Sequence, residues 1–217
     1  MSRNVSKIVR QSSPVDTSLP YDASTLSGKT ILITGGASGF GEGFARHWAA
    51  QGATIIIGDI DDVRGKAIAQ ALCKENANNS THFLHCDVTN WQSQVDFFHD
   101  ALKLSPTGGI DSVVANAGIT DRMPPLSQPV GLDAPEPPEP DLKCMDVNLT
   151  GVLYTTHLAM FYLPRNPGSK GANSTTLPAA GTPDRHLLLV GSVASISPLP
   201  IICQYAASKH AVLGLFR

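Results

Sequence analysis

Tyr205 and Lys209 stand four residues apart in the segment Gln204-Tyr205-Ala206-Ala207-Ser208-Lys209-His210. On a helix, positions i and i+4 share a face, so the phenol and the ammonium can point into one site. A fixed cation beside a phenol stabilises the phenolate. Free tyrosine titrates near ~10, so a tyrosine base working at neutral pH needs a shift of about three units, roughly 4 kcal/mol. Such a pair is the design of a general base for an alcohol. Taken alone, the same spacing is common decoration on helix surfaces, so its meaning depends on what else converges on it.

A second signal lies near the start of the chain. The apolar run Thr30-Ile31-Leu32-Ile33-Thr34 leads into Gly35-Gly36-Ala37-Ser38-Gly39-Phe40-Gly41 and then into helical spacing. Glycines in a first strand-to-helix turn let the backbone approach a pyrophosphate, and the helix N-terminus offers N–H groups and a positive dipole end. The strand before and the helix after supply the context this motif requires. Gly35, Ser38, Gly39, Phe40 and Gly41 are therefore the expected cofactor-binding positions of this turn. Asp59 ends the next apolar run, where an acid can hydrogen-bond the adenosine ribose and repel a 2′-phosphate. Neither Ser38, just before the last glycine pair, nor Ile60, just after the acid, is basic. The expected cofactor is NAD, with Asp59 and Ile60 beside its adenosine. A plainer reading, in which Asp59 caps a turn with Asp61 and Asp62, stands beside it.

The elements that must position these residues follow from hydrophobic periodicity. Strands are expected at Thr30–Thr34, Thr54–Asp59, His82–Cys86, Ser112–Ala115 and Leu187–Val190. Helices are expected at Phe40–Gln51, from Asp61 or Asp62 to about Asn76, at Trp91–Leu104, at Asp141–Leu163 and from near Tyr205 onward. Apolar strands without alternation imply burial on both faces, and strand–helix alternation implies a parallel sheet with right-handed crossovers. The expected fold is a doubly wound α/β domain, a three-layer Rossmann sheet. Residues 28–217 form this single domain, and polar residues 1–27 read as a flexible arm with some likeness to a transit peptide. Two stretches rich in proline or glycine, 121–140 and 164–185, are long for loops in a compact domain and read as insertions near the site.

Composition narrows the partners. The chain of 217 residues carries a formal net charge of −2 with no basic stripe, so nothing points to nucleic acid. No apolar run approaches a membrane span. Cys73, Cys86, Cys144 and Cys203 form no CxxC pair and have no metal-ligand spacing, so they read as reduced thiols in a cytoplasmic protein without a metal.

Together these segments make the chain resemble the short-chain dehydrogenase/reductase family, from about Ser27 to the last residue. Thr34 to Gly41 is similar to the family's TGxxxGxG turn, and Tyr205 with Lys209 to its YxxxK pair. Cys86-Asp87-Val88 resembles the segment whose aspartate contacts adenine. Asn116-Ala117-Gly118 resembles the stretch ending the fourth strand beside the cofactor. Asn148 matches the asparagine of the long central helix, and Ser192 the serine ahead of the tyrosine. The resemblance implies that Tyr205 exchanges a proton with an alcohol or ketone as hydride passes to or from the nicotinamide. It implies that Lys209 lowers the tyrosine pKa and binds the nicotinamide ribose. Ser192 would hold the substrate oxygen, and Asn148 a water of the proton relay. Tyr205 and Lys209 thus count as both catalytic and cofactor-binding, alongside Asp87, Val88, Asn116, Ala117 and Gly118.

Among family members the chain looks most similar to fungal dehydrogenases of the 15-hydroxyprostaglandin type, which act on secondary alcohols or ketones. The family often pairs through central helices, which implies a homodimer or homotetramer, with Met145, Leu149, Val152, Leu153 and Met160 as contact or core. Family members usually continue past the last helix with further strands and a substrate-covering segment. By that measure the domain reads as truncated, leaving Leu187–Val190 as an apolar sheet edge. A non-catalytic NAD-binding module and an inactive truncated dehydrogenase are the alternatives this raises. An S-adenosylmethionine-dependent methyltransferase would also use the glycine turn and Asp59, but has no work for Ser192, Tyr205 and Lys209.

Overall fold

A computed structural model describes residues 18, 22–76, 80–121, 133–166, 185–197, 199 and 202–217. Most of the proposed N-terminal arm, and positions 122–132 and 167–184 of the two insertions, lie outside the described residues.

Strands β1 (Thr30–Thr34), β2 (Thr54–Asp59), β3 (Thr81–His85), β4 (Ser112–Ala115) and β5 (His186–Leu189) form one sheet in the order β3-β2-β1-β4-β5. Every pairing is parallel, with Ile31 opposite Ile55 and Ser112, and Val114 opposite Leu188. Between them run α1 (Gly39–Ala49), α2 (Asp62–Glu75) and α3 (Trp91–Leu104). After β4 come a short α4 (Lys143–Met145), α5 (Gly151–Tyr162) and, after β5, α6 (Cys203–Phe216).

The layers follow from the side-chain period of two. Leu32, Ile56 and Val113 pack on one face with Phe97 and Phe98 of α3 and Leu158 of α5. Ile31, Ile33, Ile55, Ile57 and Val114 pack on the other with Ala45 and Ala49 of α1 and Leu72 of α2. Burial on both faces is why β1 and β2 read as unbroken apolar runs. The expectation fails for β5, where His186 and Leu188 are exposed and Leu187 and Leu189 pack inward. Among the described residues β5 pairs only with β4, and it alternates as a strand with one open face must.

The expected continuous helix from Asp141 to Leu163 is also revised. It starts at Lys143, widens into a π-turn over Asp146–Thr150, resumes as α5 and ends in a 3-10 turn at Leu163–Arg165. The Gly151 N–H reaches the Asp146 carbonyl, five residues back. Such turns concentrate at functional sites, because the extra residue re-aims the side chains around it. Here the re-aimed side chain is Asn148, which is fully buried.

The sheet order reverses at β1: β2 and β3 lie on one side, β4 and β5 on the other. In open parallel sheets the crevice beyond the carboxyl ends of strands at this reversal is where ligands bind. Every residue singled out in the first half of the chain sits at one of those strand ends or in the turn that follows it.

Candidate active site

The glycine turn after β1 is fixed by close backbone packing. Gly35 has φ of 66°, and a Cβ there would stand 2.7 Å from the Ala117 Cα. Asn116 donates from Nδ2 to the carbonyls of Thr34 (3.0 Å) and Gly35 (2.9 Å), tying the end of β4 to the turn. A Cβ on Gly41 would lie 2.6 Å from that same nitrogen, so glycine lets α1 start hard against the turn. Ser38, Gly39 and Phe40 are exposed, and the Ser38 side chain makes no capping bond. The first N–H groups of α1 therefore open on the crevice without an intrahelical partner, as at any helix start.

Asp59 supports this turn from below. Its Oδ2 accepts from the Ala37 N–H at 2.9 Å, and its Oδ1 from the Asp61 N–H at 3.1 Å. The turn-capping reading of Asp59 is thus present in the structure, in the same carboxylate that braces the glycine turn. Ile60 is 63% exposed beside it. Beyond β3, the Asp87 Oδ1 accepts from both the N–H and the hydroxyl of Thr89. Val88 is buried, and its carbonyl accepts from the Nε2 of Gln94, which also donates to the Gly151 carbonyl. A Cβ on Gly151 would meet the Val88 side chain at 2.9 Å. Asp59, Ile60, Asp87 and Val88 thus lie at the carboxyl ends of β2 and β3 or just beyond them.

At the β4–β5 end, Asn148 acts as a bracket. Its Oδ1 accepts from the Ile119 N–H and its Nδ2 donates to the Ile119 carbonyl, both at 2.8 Å. Nδ2 also reaches the Ser208 hydroxyl at 3.2 Å, and that hydroxyl donates to the Tyr205 carbonyl at 2.7 Å. Gly118 lies over this junction: a Cβ there would be 3.3 Å from the Asn148 Oδ1 and 3.7 Å from the Lys209 Nζ. Asn116, Ala117, Gly118, Asn148, Tyr205 and Lys209 therefore share one neighbourhood.

Lys209 is buried, and its ammonium donates to the Val190 carbonyl at 2.8 Å. Burial pushes its pKa below the ordinary lysine value. The ammonium stands 5.8 Å from the centre of the Tyr205 ring, so the expected shared face is present. Through Val190, Lys209 also ties α6 to the turn carrying Ser192. Ser192 caps the 3-10 turn Val193–Ser195: its Oγ accepts from the Ala194 N–H, while its own N–H donates to the Ser195 hydroxyl. With one lone pair engaged by Ala194, the Ser192 hydroxyl keeps its proton available for a further partner.

Sequence reasoning missed the residue that holds the helix of the pair. Asp121 Oδ2 accepts from the Gln204 N–H at 2.9 Å and Oδ1 from the Tyr205 N–H at 2.6 Å. The available signal was negative: Ile202 occupies the N-cap of α6 and cannot cap it, so an acceptor must come from elsewhere. Ser208 and Gln94 were also missed, because their partners are distant in sequence. Cys73, Cys86, Cys144 and Cys203 are all unpaired thiols in the structure. Burial, reinforced by Asp87 and Asp59, pushes Cys86 up to about 12, and burial with the Asp121 contact pushes Cys144 up to about 11.

The sequence profile of the short chain dehydrogenase family matches residues 29–173. The chain belongs to the short-chain dehydrogenase/reductase family. A 5′-hydroxyaverantin dehydrogenase of Dothistroma septosporum is 36% identical over 90% of this chain and 62% of its own length. An NADP-dependent dehydrogenase of Cochliobolus lunatus is 34% identical over 90% of this chain and 65% of its own. A crystal structure of a 3-ketoacyl-(acyl-carrier-protein) reductase from Brucella melitensis, complexed with NADH, superposes with a TM-score of 0.67 at 27% identity. It covers 88% of this chain and 68% of that one. The chain thus spans less than two thirds of the length of these two fungal relatives. The finer likeness to 15-hydroxyprostaglandin-type members gains no support from them. Among the described residues no helix is long and apolar enough to cross a membrane, and no cluster of three His, Cys, Asp or Glu is placed to hold a metal.

Of the helix residues considered for subunit contact, Val152 is core, whereas Leu153 is 42% and Met160 68% exposed.

Proposed function

We propose that this protein is an NAD-dependent oxidoreductase that interconverts a secondary alcohol and a ketone, with Tyr205 as its general acid and base. The observation that carries the reading is the junction at Gly118. There the phosphate turn, through Asn116, meets the bracket of Asn148 and the Tyr205–Lys209 helix at one end of the sheet.

The residues fit a nicotinamide dinucleotide. The open N–H groups at the start of α1 would take the pyrophosphate, and Asp59 the adenosine ribose. Ile60, Asp87 and Val88 would border the adenine, and Asn116, Ala117 and Gly118 the nicotinamide side. The bound cofactor would supply a hydride acceptor or donor facing the substrate carbon. Tyr205 would take the alcohol proton, or return it to a ketone oxygen. Lys209 would favour the deprotonated phenol by its positive charge and bond the nicotinamide ribose. Ser192 would donate to the substrate oxygen as charge develops there. Asn148 would hold a relay water: both N–H bonds of its amide are engaged by Ile119 and Ser208, whereas its Oδ1 accepts from Ile119 alone.

Asp59 is the reason to favour NAD, since a fixed carboxylate braced by two N–H donors repels a 2′-phosphate. The relative named as NADP-dependent makes this choice worth direct measurement. Titration with NADH and NADPH, read by cofactor fluorescence, should show tighter binding of NADH. NADPH binding more tightly would reject the Asp59 argument. A panel of secondary alcohols followed by NADH formation tests turnover, and Tyr205→Phe should abolish it while leaving NADH affinity within about twofold. Binding without turnover would replace this reading by an NAD-binding module. Stabilisation by S-adenosylmethionine and not by NAD would end it. A monomer–dimer–tetramer assignment by light scattering would settle the assembly that the family resemblance implies.

A further inference from the structure

We propose that Asp121 is a positioning residue for Tyr205: its carboxylate clamps the first turn of α6 and so sets where the phenol stands in the crevice. This inference rests on the role just proposed for Tyr205.

The geometry is specific. The opening N–H groups of a helix have no partner within it, and Ile202 at the N-cap offers no side-chain acceptor. Asp121 takes two of these N–H groups, one on each oxygen, from Gln204 at 2.9 Å and from Tyr205 at 2.6 Å. The bond to Tyr205 is to the backbone of the very residue whose side chain would do the chemistry. A carboxylate placed there also faces the positive end of the helix dipole.

Asp121 is itself held. Two residues earlier, Ile119 is gripped through both its backbone polar groups by Asn148. Asn148 also meets Ser208, which bonds the Tyr205 carbonyl. The N–H and the C=O of Tyr205 are therefore both referred to the same short segment after β4. A second strut comes from the far side, where the Gln204 Nε2 donates to the Asp141 carbonyl at 2.7 Å. The backbone of the proposed base is thus fixed by tertiary contacts rather than by local sequence. A displacement near 1 Å at a reacting group can cost about a hundredfold in rate.

Asp121→Ala removes both acceptors. Asp121→Asn keeps one, because its amide nitrogen cannot accept. Asn90→Ala is the control for lost capping alone, since Asn90 caps α3 by accepting from the Ser93 N–H. Two readouts do not need turnover. Hydrogen exchange at the Gln204 and Tyr205 amides should quicken about tenfold or more in Asp121→Ala, less in Asp121→Asn, and not in Asn90→Ala. With ring-labelled tyrosine, the NMR signal that Tyr205→Phe deletes should shift in Asp121→Ala while the signals of Tyr154 and Tyr162 hold. In the active protein, kcat should fall about ten- to a hundredfold in Asp121→Ala, with NADH affinity within about twofold, partial rescue in Asp121→Asn, and no change in Asn90→Ala. Unchanged exchange and an unmoved Tyr205 signal in Asp121→Ala would overturn the proposal, as would an equal loss of kcat in Asn90→Ala. If the wild-type chain turns over no alcohol, the catalytic reading of Tyr205 fails, and the clamp is judged on exchange and NMR alone.

Discussion

Replacing Asn148 by alanine removes the bracket that joins the segment after β4 to α6, and its cost can be worked from the contacts. The side chain is fully buried and makes two 2.8 Å bonds to the Ile119 backbone and a 3.2 Å bond to Ser208. A typical bond contributes about 1 kcal/mol net, and a buried polar group left without a partner costs about 1–3 kcal/mol. Ile119 is only half-buried, so water can reach part of what is lost. The expected destabilisation is about 2–4 kcal/mol. For a chain of this size each kcal/mol lowers Tm by about 2–4 °C, giving a fall of about 4–16 °C. Urea unfolding at constant m-value would measure the free energy, and circular dichroism the melting point. Exchange at the Ile119 amide should quicken in the same variant. Asn148→Asp should also destabilise, because a carboxylate can accept from the Ile119 N–H but cannot donate to its carbonyl. A loss below about 0.5 kcal/mol for Asn148→Ala, with Ile119 still protected, would show that the bracket is incidental and that packing alone holds this junction.

Two further outcomes can be checked on the same protein. Gly41→Ala should lower NADH affinity about tenfold or more and cost about 1–3 kcal/mol, because its Cβ would press first on the Gly35 carbonyl and then on an Asn116 amide already committed to two carbonyls. Gly43→Ala, two positions on, has nothing within 4 Å and should be neutral or slightly stabilising, so equal effects from both would reject the packing argument. For Lys209, burial lowers the folded-state pKa below 10.5, so between those two values the unfolded chain binds more protons and stability rises with pH. Wild type should therefore gain stability relative to Lys209→Met as pH climbs through that window. A difference between the two that stays constant from pH 7 to pH 10.5 would show that burial does not bias this lysine.

How much was legible can be judged from particular residues. The runs at Ile31–Ile33 and Ile55–Ile57 announced themselves as doubly buried strands because both faces are covered, and they are. Gly35, Gly39 and Gly41 were readable because the constraint they satisfy, a tight turn against a helix start, is local. The end of the helix at Asp141 was misjudged, and so was its regularity, because the π-turn answers to a partner 29 residues away, Ile119. Burial of β5 was overestimated because a four-residue apolar run looks the same whether one or both faces are covered. Asp121 passed for the first residue of an insertion because nothing in its own neighbourhood marks it as a cap for a helix over 80 residues later: its bond to Gln204 spans 83 positions.

The amino-acid sequence by itself determined the strands, the helices, the glycine turn and the Tyr205–Lys209 face, since each rests on a period or spacing within a few neighbours. Only the tertiary structure decided how those pieces are held. It closed Asn148 on Ile119, hung α6 from the Val190 carbonyl through Lys209, and set Asp121 under the first turn of α6. The physical reason is that hydrogen bonds between distant segments leave no periodic trace in either partner; they exist only once the sheet has brought the ends of its strands together.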